Sequence, residues 1–145
     1  MPPFHEFNME ETTRRALLAM HNHMYDGMLS DSLKFAGYRV SKAGSVDEML
    51  SEMGIPLGSP ADFPPANKFE WYIMDINLGT VGGDSCDPAL TVYGHVRGDV
   101  ESGRSQFMAI SGNHNAVGNA TGEGIPCLNK ANTVNLLEMI EASER

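Results

Sequence analysis

Four positions in this chain set a chemically capable side chain at the end of an apolar run. His21–Asn22 follow "RALLAM", Asp75 ends "WYIMD", Ser111 ends "QFMAIS", and Lys130 follows "IPCLN". A carboxylate, a hydroxyl and an ammonium brought to one edge suit phosphoryl chemistry. The carboxylate can act as nucleophile and form an acyl phosphate. The ammonium neutralises charge developing on the phosphoryl oxygens, and the hydroxyl donates a hydrogen bond to one of them. Each residue also has a plainer reading. Asp75 can cap the loop after it, Ser111 can be a turn hydroxyl bonded to nearby backbone, and Lys130 can form a structural ion pair with Asp75. His21 and His23 in "HNH", with His114 after the fourth apolar run, would offer imidazoles suited to Zn²⁺, Ni²⁺ or Cu²⁺ if they shared a crevice. No ligand motif of known spacing accompanies them. Gly118, Gly122 and Gly124 lack the Lys-Ser/Thr ending and following helix of a phosphate-cradling loop.

The elements that must position these groups are legible in order. "RALLAM" (15–20) has strand length. Tyr25, Met28, Leu29, Ser32 and Leu33 then recur on one helical face, with Gly37 as the stop. "YRVSKA" reads as a second strand. "SVDEMLSEMG" opens with a capping box, Ser45 and Glu48, and ends at Gly54. The Pro/Gly-rich stretch 55–70 is longer than an ordinary connection, which marks an insertion or a lid. "WYIMD" is the third strand. Ala89, Val92, Tyr93 and Val96 give a third helix, and "QFMAIS" a fourth strand. "NHNAVGNATGEG" is glycine-rich and polar, so the helix expected there is short or missing. "IPCLN" is a short fifth strand, and "NTVNLLEMIEASE" a last helix with Val134, Leu137 and Ile140 beside Leu136 and Met139. Apolar strands alternating with helices imply an α/β domain with a parallel sheet covered on both faces. The crevice of such a sheet lies beyond the carboxyl ends of its strands, where Asp75 stands.

Bulk properties narrow the partners. The 145 residues fit one domain, with residues 1–14 read as an N-terminal arm. A net charge of −9 argues against nucleic acid and against an anionic membrane surface. No apolar run approaches the roughly 20 residues of a membrane span, and the N-terminus lacks the pattern of a secretory signal. The two cysteines, Cys86 and Cys127, form neither a disulfide framework nor a C-x-x-C motif. They read as reduced thiols of a cytoplasmic protein. No base–nucleophile–orienter set is visible, so the chain is not read as an enzyme.

From residue 15 to about 143 the chain resembles the receiver domain of bacterial two-component response regulators, of the chemotaxis type. "AGYRVSKAGSVDEML" is similar to that family's second strand and helix. "YIMDINLG" resembles its phosphoacceptor strand, "FMAIS" its switch-hydroxyl strand, and "CLNKA" its lysine motif. The resemblance implies a flavodoxin-like (βα)₅ fold with strand order 2-1-3-4-5 over residues 15–145. It makes Asp75 the phosphoacceptor, Ser111 the switch hydroxyl and Lys130 the lysine, with Asp75 and the Asn77 carbonyl as magnesium ligands. It implies signalling partners: a histidine kinase or a downstream protein.

Departures from the pattern reshape that expectation. The family's first strand ends in two magnesium-binding acids, and here the pair is Met20–His21 or, shifted by one, His21–Asn22. Neither supplies a carboxylate, and Mg²⁺ is a hard ion that wants oxygen. The sequence therefore implies weak magnesium binding at most, no other cofactor, and an atypical receiver acting through protein contacts with little or no phosphorylation. The alternatives are an active phosphoacceptor at Asp75 and a metal- or small-ligand-binding module using the histidines. Cys127 stands at the aromatic switch position. Ala131 replaces the proline after the lysine, which implies a trans peptide and a rearranged loop. Self-association through the last helix is a further expectation.

Overall fold

The structure is a computed structural model describing residues 14–79 and 83–143. The arm expected over residues 1–14 lies outside the described residues, except for Arg14, which opens the first strand. In chain order the elements are β1 (Arg14–Ala19), α1 (His23–Phe35), β2 (Tyr38–Lys42), α2 (Val46–Glu52), β3 (Trp71–Asp75), α3 (Asp87–Glu101), β4 (Gln106–Ser111), α4 (His114–Gly122), β5 (Cys127–Asn129), a 3₁₀ turn (Lys130–Asn132) and α5 (Thr133–Ala142). The five strands form one sheet in the order β2-β1-β3-β4-β5, and every pairing is parallel. This is the flavodoxin-like arrangement.

The period-2 geometry of a strand divides the core into two layers. Leu17, Ala19, Tyr72, Met74, Phe107 and Ala109 face α2, α3 and α4. Their neighbours Ala16, Leu18, Trp71, Ile73, Met108 and Ile110 face α1 and α5. All five residues of β3 are buried, as a central strand covered on both faces requires.

Local signals mostly hold. Asn22 caps α1 by accepting from the Met24 and Tyr25 amides. The capping box of α2 is offset by one: Ser45 accepts from the Glu48 amide, but Glu48 accepts from Gly44. On α5 the buried face is Thr133, Leu136 and Ile140, while Val134 is 61% exposed, contrary to the apolar face expected from the sequence. Of the two outcomes expected for the segment after β4, a short helix or none, the structure has the short helix, α4. It is a helix of nine residues despite Gly118 and Gly122. Asn113 caps it, and Ala116 and Ala120, one turn apart, are fully buried. Small residues allow close packing on the sheet, so a weak apolar period does not mean a weak helix.

The stretch 55–70 is not a lid on the crevice. It joins the end of α2 to the start of β3, so it lies at the opposite edge of the sheet. There it is fastened to α3. The His95 ring donates from Nδ1 to the Phe63 carbonyl at 2.9 Å. Gly54 turns into the loop with φ +73°, and a Cβ there would stand 2.9 Å from Ala66 Cβ. Asp99 on α3 receives Lys68 at 3.1 Å and Arg104 at 3.2 Å. Burial alone would raise the Asp99 pKa, but Lys68 and Arg104 together outweigh it and hold the carboxyl below its ordinary value. A depressed folded pKa stabilises the fold above the unfolded value of about 3.9, and that contribution is lost as pH falls through the folded value. Asp99→Asn should therefore cost about 0.5–1 kcal/mol near neutral pH, allowing for the exposure of Lys68 and Arg104, and much less in strong acid, once Asp99 is protonated in the folded state too. Urea melts under the two conditions check this.

Candidate functional site

The parallel sheet brings the four chemical positions to one edge. Asp75 is the last residue of β3 and Ser111 the last of β4, while Lys130 directly follows β5. Asp75 is 2% exposed. One of its carboxylate oxygens, Oδ2, accepts the His21 amide at 2.5 Å. The other, Oδ1, stands 3.8 Å from Lys130 Nζ. That ammonium also lies 5.1 Å from the centre of the Tyr25 ring, a cation–π contact that sequence reading did not find.

The register places the end of β1 against Asp75. Ala19 pairs with Met74, so Met20 comes level with Asp75 and His21 follows. Asn22 is committed to capping α1. The His21 ring accepts the Gly79 amide at Nε2, 3.0 Å away, and so ties the loop after β1 to the loop after β3. Magnesium, implied by the fold family, does not fit this chemistry. Among the described residues the strand ends offer one carboxylate, Asp75, already bonded to an amide and faced by an ammonium. A thioether and an imidazole are poor ligands for a hard cation. The Asn77 side chain donates to the Gly83 carbonyl at 3.0 Å.

The histidines do not assemble. His23 begins α1 and His114 begins α4, and both are exposed. These helices cover opposite faces of the sheet. Among the described residues no three His, Cys, Asp or Glu side chains form a group able to hold a metal ion.

Ser111 Oγ accepts the Asn113 amide at 2.9 Å, and its own hydroxyl proton stays available to donate. Asn113 is the residue that sequence reasoning missed. Its Oδ1 caps α4, while its Nδ2 donates to the Gly83 carbonyl at 3.1 Å and to Asp84 Oδ1 at 2.8 Å. Asn119 adds a bond to the Asp84 carbonyl at 2.9 Å. Side-chain amides thus join the start of α4 to the loop after β3. The available signal was an asparagine two residues beyond a strand and just before an alanine-containing segment, an N-cap position.

At the far side, Cys127 lies against α4, with Sγ 3.2 Å from Thr121 Oγ1. The Cys86 thiol is pushed up by burial first, then by Glu123 and Asp87, which makes it a poor nucleophile. No described peptide bond is cis, and the Ala131 amide donates to Asn129 Oδ1 at 2.9 Å, a bond that a proline at 131 could not make.

No protein-family model and no curated protein matches this chain. Solved structures do. A response regulator protein from Burkholderia pseudomallei, bearing a phosphorylated aspartic acid and a calcium ion, is 23% identical with a TM-score of 0.56; the match covers 91% of this chain and 66% of that one. The receiver domain of a sensor histidine kinase from Pseudomonas aeruginosa, with magnesium in its active-site cleft, is 17% identical at a TM-score of 0.56, covering 90% and 99%. The chemotaxis response regulator CheY4 of Vibrio cholerae is 15% identical at 0.56, covering 89% and 99%. The strand order, the parallel pairing and these likenesses agree: the chain has the fold of a response-regulator receiver domain.

Proposed function

We propose that this chain is an atypical receiver domain of two-component signalling, without enzymatic activity, that works by binding other signalling proteins rather than by turning over phosphate at Asp75. The observation that carries this reading is the setting of Asp75: Met20 is level with it, the His21 amide is on Oδ2, and Lys130 faces Oδ1. A phosphoryl group arriving there would meet one ammonium and no hard cation to spread its charge. The amide clamp of Asn113 and Asn119 gives a second support, since it holds α4 against the loop after β3 without any phosphate. Exposed Val134 and Met139 on α5 offer apolar surface for protein contact, self-association included.

The test is incubation with acetyl phosphate and Mg²⁺, read by intact mass. The expected spectrum contains little or no phosphate adduct, and Asp75→Asn leaves it unchanged. A near-stoichiometric adduct that disappears in Asp75→Asn would overturn the reading in favour of an active phosphoacceptor.

A further inference from the structure

The long connection between α2 and β3 builds a second cleft, on the α2/α3 face and away from the Asp75 edge. It encloses about 740 Å³, within the range of small-molecule sites, roughly 300–1,000 Å³. One wall is the face of α2 carrying Asp47, Leu50 and Ser51; the other is the face of α3 carrying Leu90, Thr91 and His95. Ile55 and Leu57 come from the loop, and Leu57 is 92% exposed. The loop is held in place by the His95–Phe63 bond and the Lys68–Asp99 ion pair, so the cleft is formed before any ligand arrives.

Its polar side chains include one carboxylate and, among the described residues, no ammonium or guanidinium. The Phe63 carbonyl can only accept, so His95 Nδ1 carries a proton and is committed to the loop. Asp47 has no ion-pair partner among the described residues. Ser51, Ser59 and Thr91 add hydroxyls, and no Lys or Arg among the described residues lines the cleft. With a chain charge of −9, such a site disfavours phosphates, carboxylates and nucleotides. It favours an apolar body carrying a hydrogen-bonding cation. We infer that this cleft binds a small apolar molecule bearing a protonated amine, with the amine on the Asp47 carboxylate and the apolar part against Leu50, Ile55 and Leu90.

The test uses the full ¹⁵N-labelled chain and three probes of one shape: tryptamine, its neutral alcohol analogue tryptophol, and the anion indole-3-propionate. Tryptamine should shift amides of residues 47–59 and 90–95 in a saturable manner at millimolar concentration or below. Tryptophol should bind more weakly at the same residues, and the anion should not bind. Asp47→Asn should weaken tryptamine about threefold, as removal of an exposed ion pair does, and leave tryptophol unchanged. Thr91→Trp, a substitution at an exposed position, should fill the cleft and abolish both. No saturable shift in the cleft at millimolar tryptamine overturns the inference. Equal binding of the anion does so as well, and so do shifts that survive Thr91→Trp, which would mark charge attraction to the acidic surface.

Discussion

A Met20→Asp/His21→Asp double variant is expected to bind Mg²⁺ at least about a hundredfold more tightly than the unaltered chain, because two added carboxylates supply the hard ligands that the site lacks. The register puts residue 20 level with Asp75 and residue 21 next to it, so the new acids would share one small volume with the existing one. Without the ion the variant should be less stable than the parent. Met20 is 8% exposed, and like charges crowded in a buried site repel. The Gly79 amide also loses its acceptor on the His21 ring. With Mg²⁺ at about a hundred times its dissociation constant, the folded state gains about 2.7 kcal/mol. The melting temperature of the variant should therefore climb with Mg²⁺ while that of the parent stays level. Acetyl phosphate should then label the variant at Asp75. A variant that folds yet shows no magnesium-dependent melting would mean that the missing acids are not what separates this site from a cation-binding one.

Trp71→Ala should cost about 3–5 kcal/mol, the range for deleting a large aromatic side chain from a packed core. Trp71 is fully buried at the start of β3, in the layer facing α1 and α5. Its indole donates to Ser143 Oγ at 3.3 Å. That serine is a junction: its hydroxyl lies 2.8 Å from the Tyr38 hydroxyl, and its carbonyl accepts from Arg14, whose guanidinium also lies over the Tyr38 ring. Loss of the indole therefore leaves a cavity and loosens the attachment of the end of α5 to β1, β2 and β3. Trp71→Phe keeps most of the volume but not the N–H, and should cost about 1–2 kcal/mol. Urea unfolding followed by far-UV circular dichroism measures both, with an unchanged m-value showing that the cost lies in stability rather than in compactness. A cost below about 1 kcal/mol for Trp71→Ala would show that the residue does not fill the core as described.

Residue type and order were enough for the frame. Ala89, Val92, Tyr93 and Val96 recur at helical spacing, and all four are buried on α3. The apolar run 71–74 ending in Asp75 is a strand buried on both faces, and its carboxylate stands at the crevice because a parallel sheet collects all its strand exits at one edge. Elsewhere the local signal was weaker than the contact that overrode it. "NHNAVGNATGEG" looks poor for a helix because glycine raises its backbone cost. The Asn113 cap and the close seat of Ala116 and Ala120 on the sheet offset that cost, and neither depends on a large apolar period. On α5, Val134 and Leu136 are both apolar, and only the direction of approach to β3 and β4 decides that Leu136 is buried and Val134 is not.

The absence of an acid pair at the end of β1, and hence of a home for a hard cation, is written in the residue types at 20–22. The amino-acid order also determined that Asp75 and Lys130 would meet across the sheet edge. It did not determine which of two registers β1 takes, where the long connection goes, or what Ser111 and Asn113 bond. Those were decided in three dimensions. A one-residue shift, a loop laid on α3 instead of over the crevice, and a side-chain amide bridging two loops each depend on groups far apart in the chain. Their energies exist only once the strands have set the distances between them.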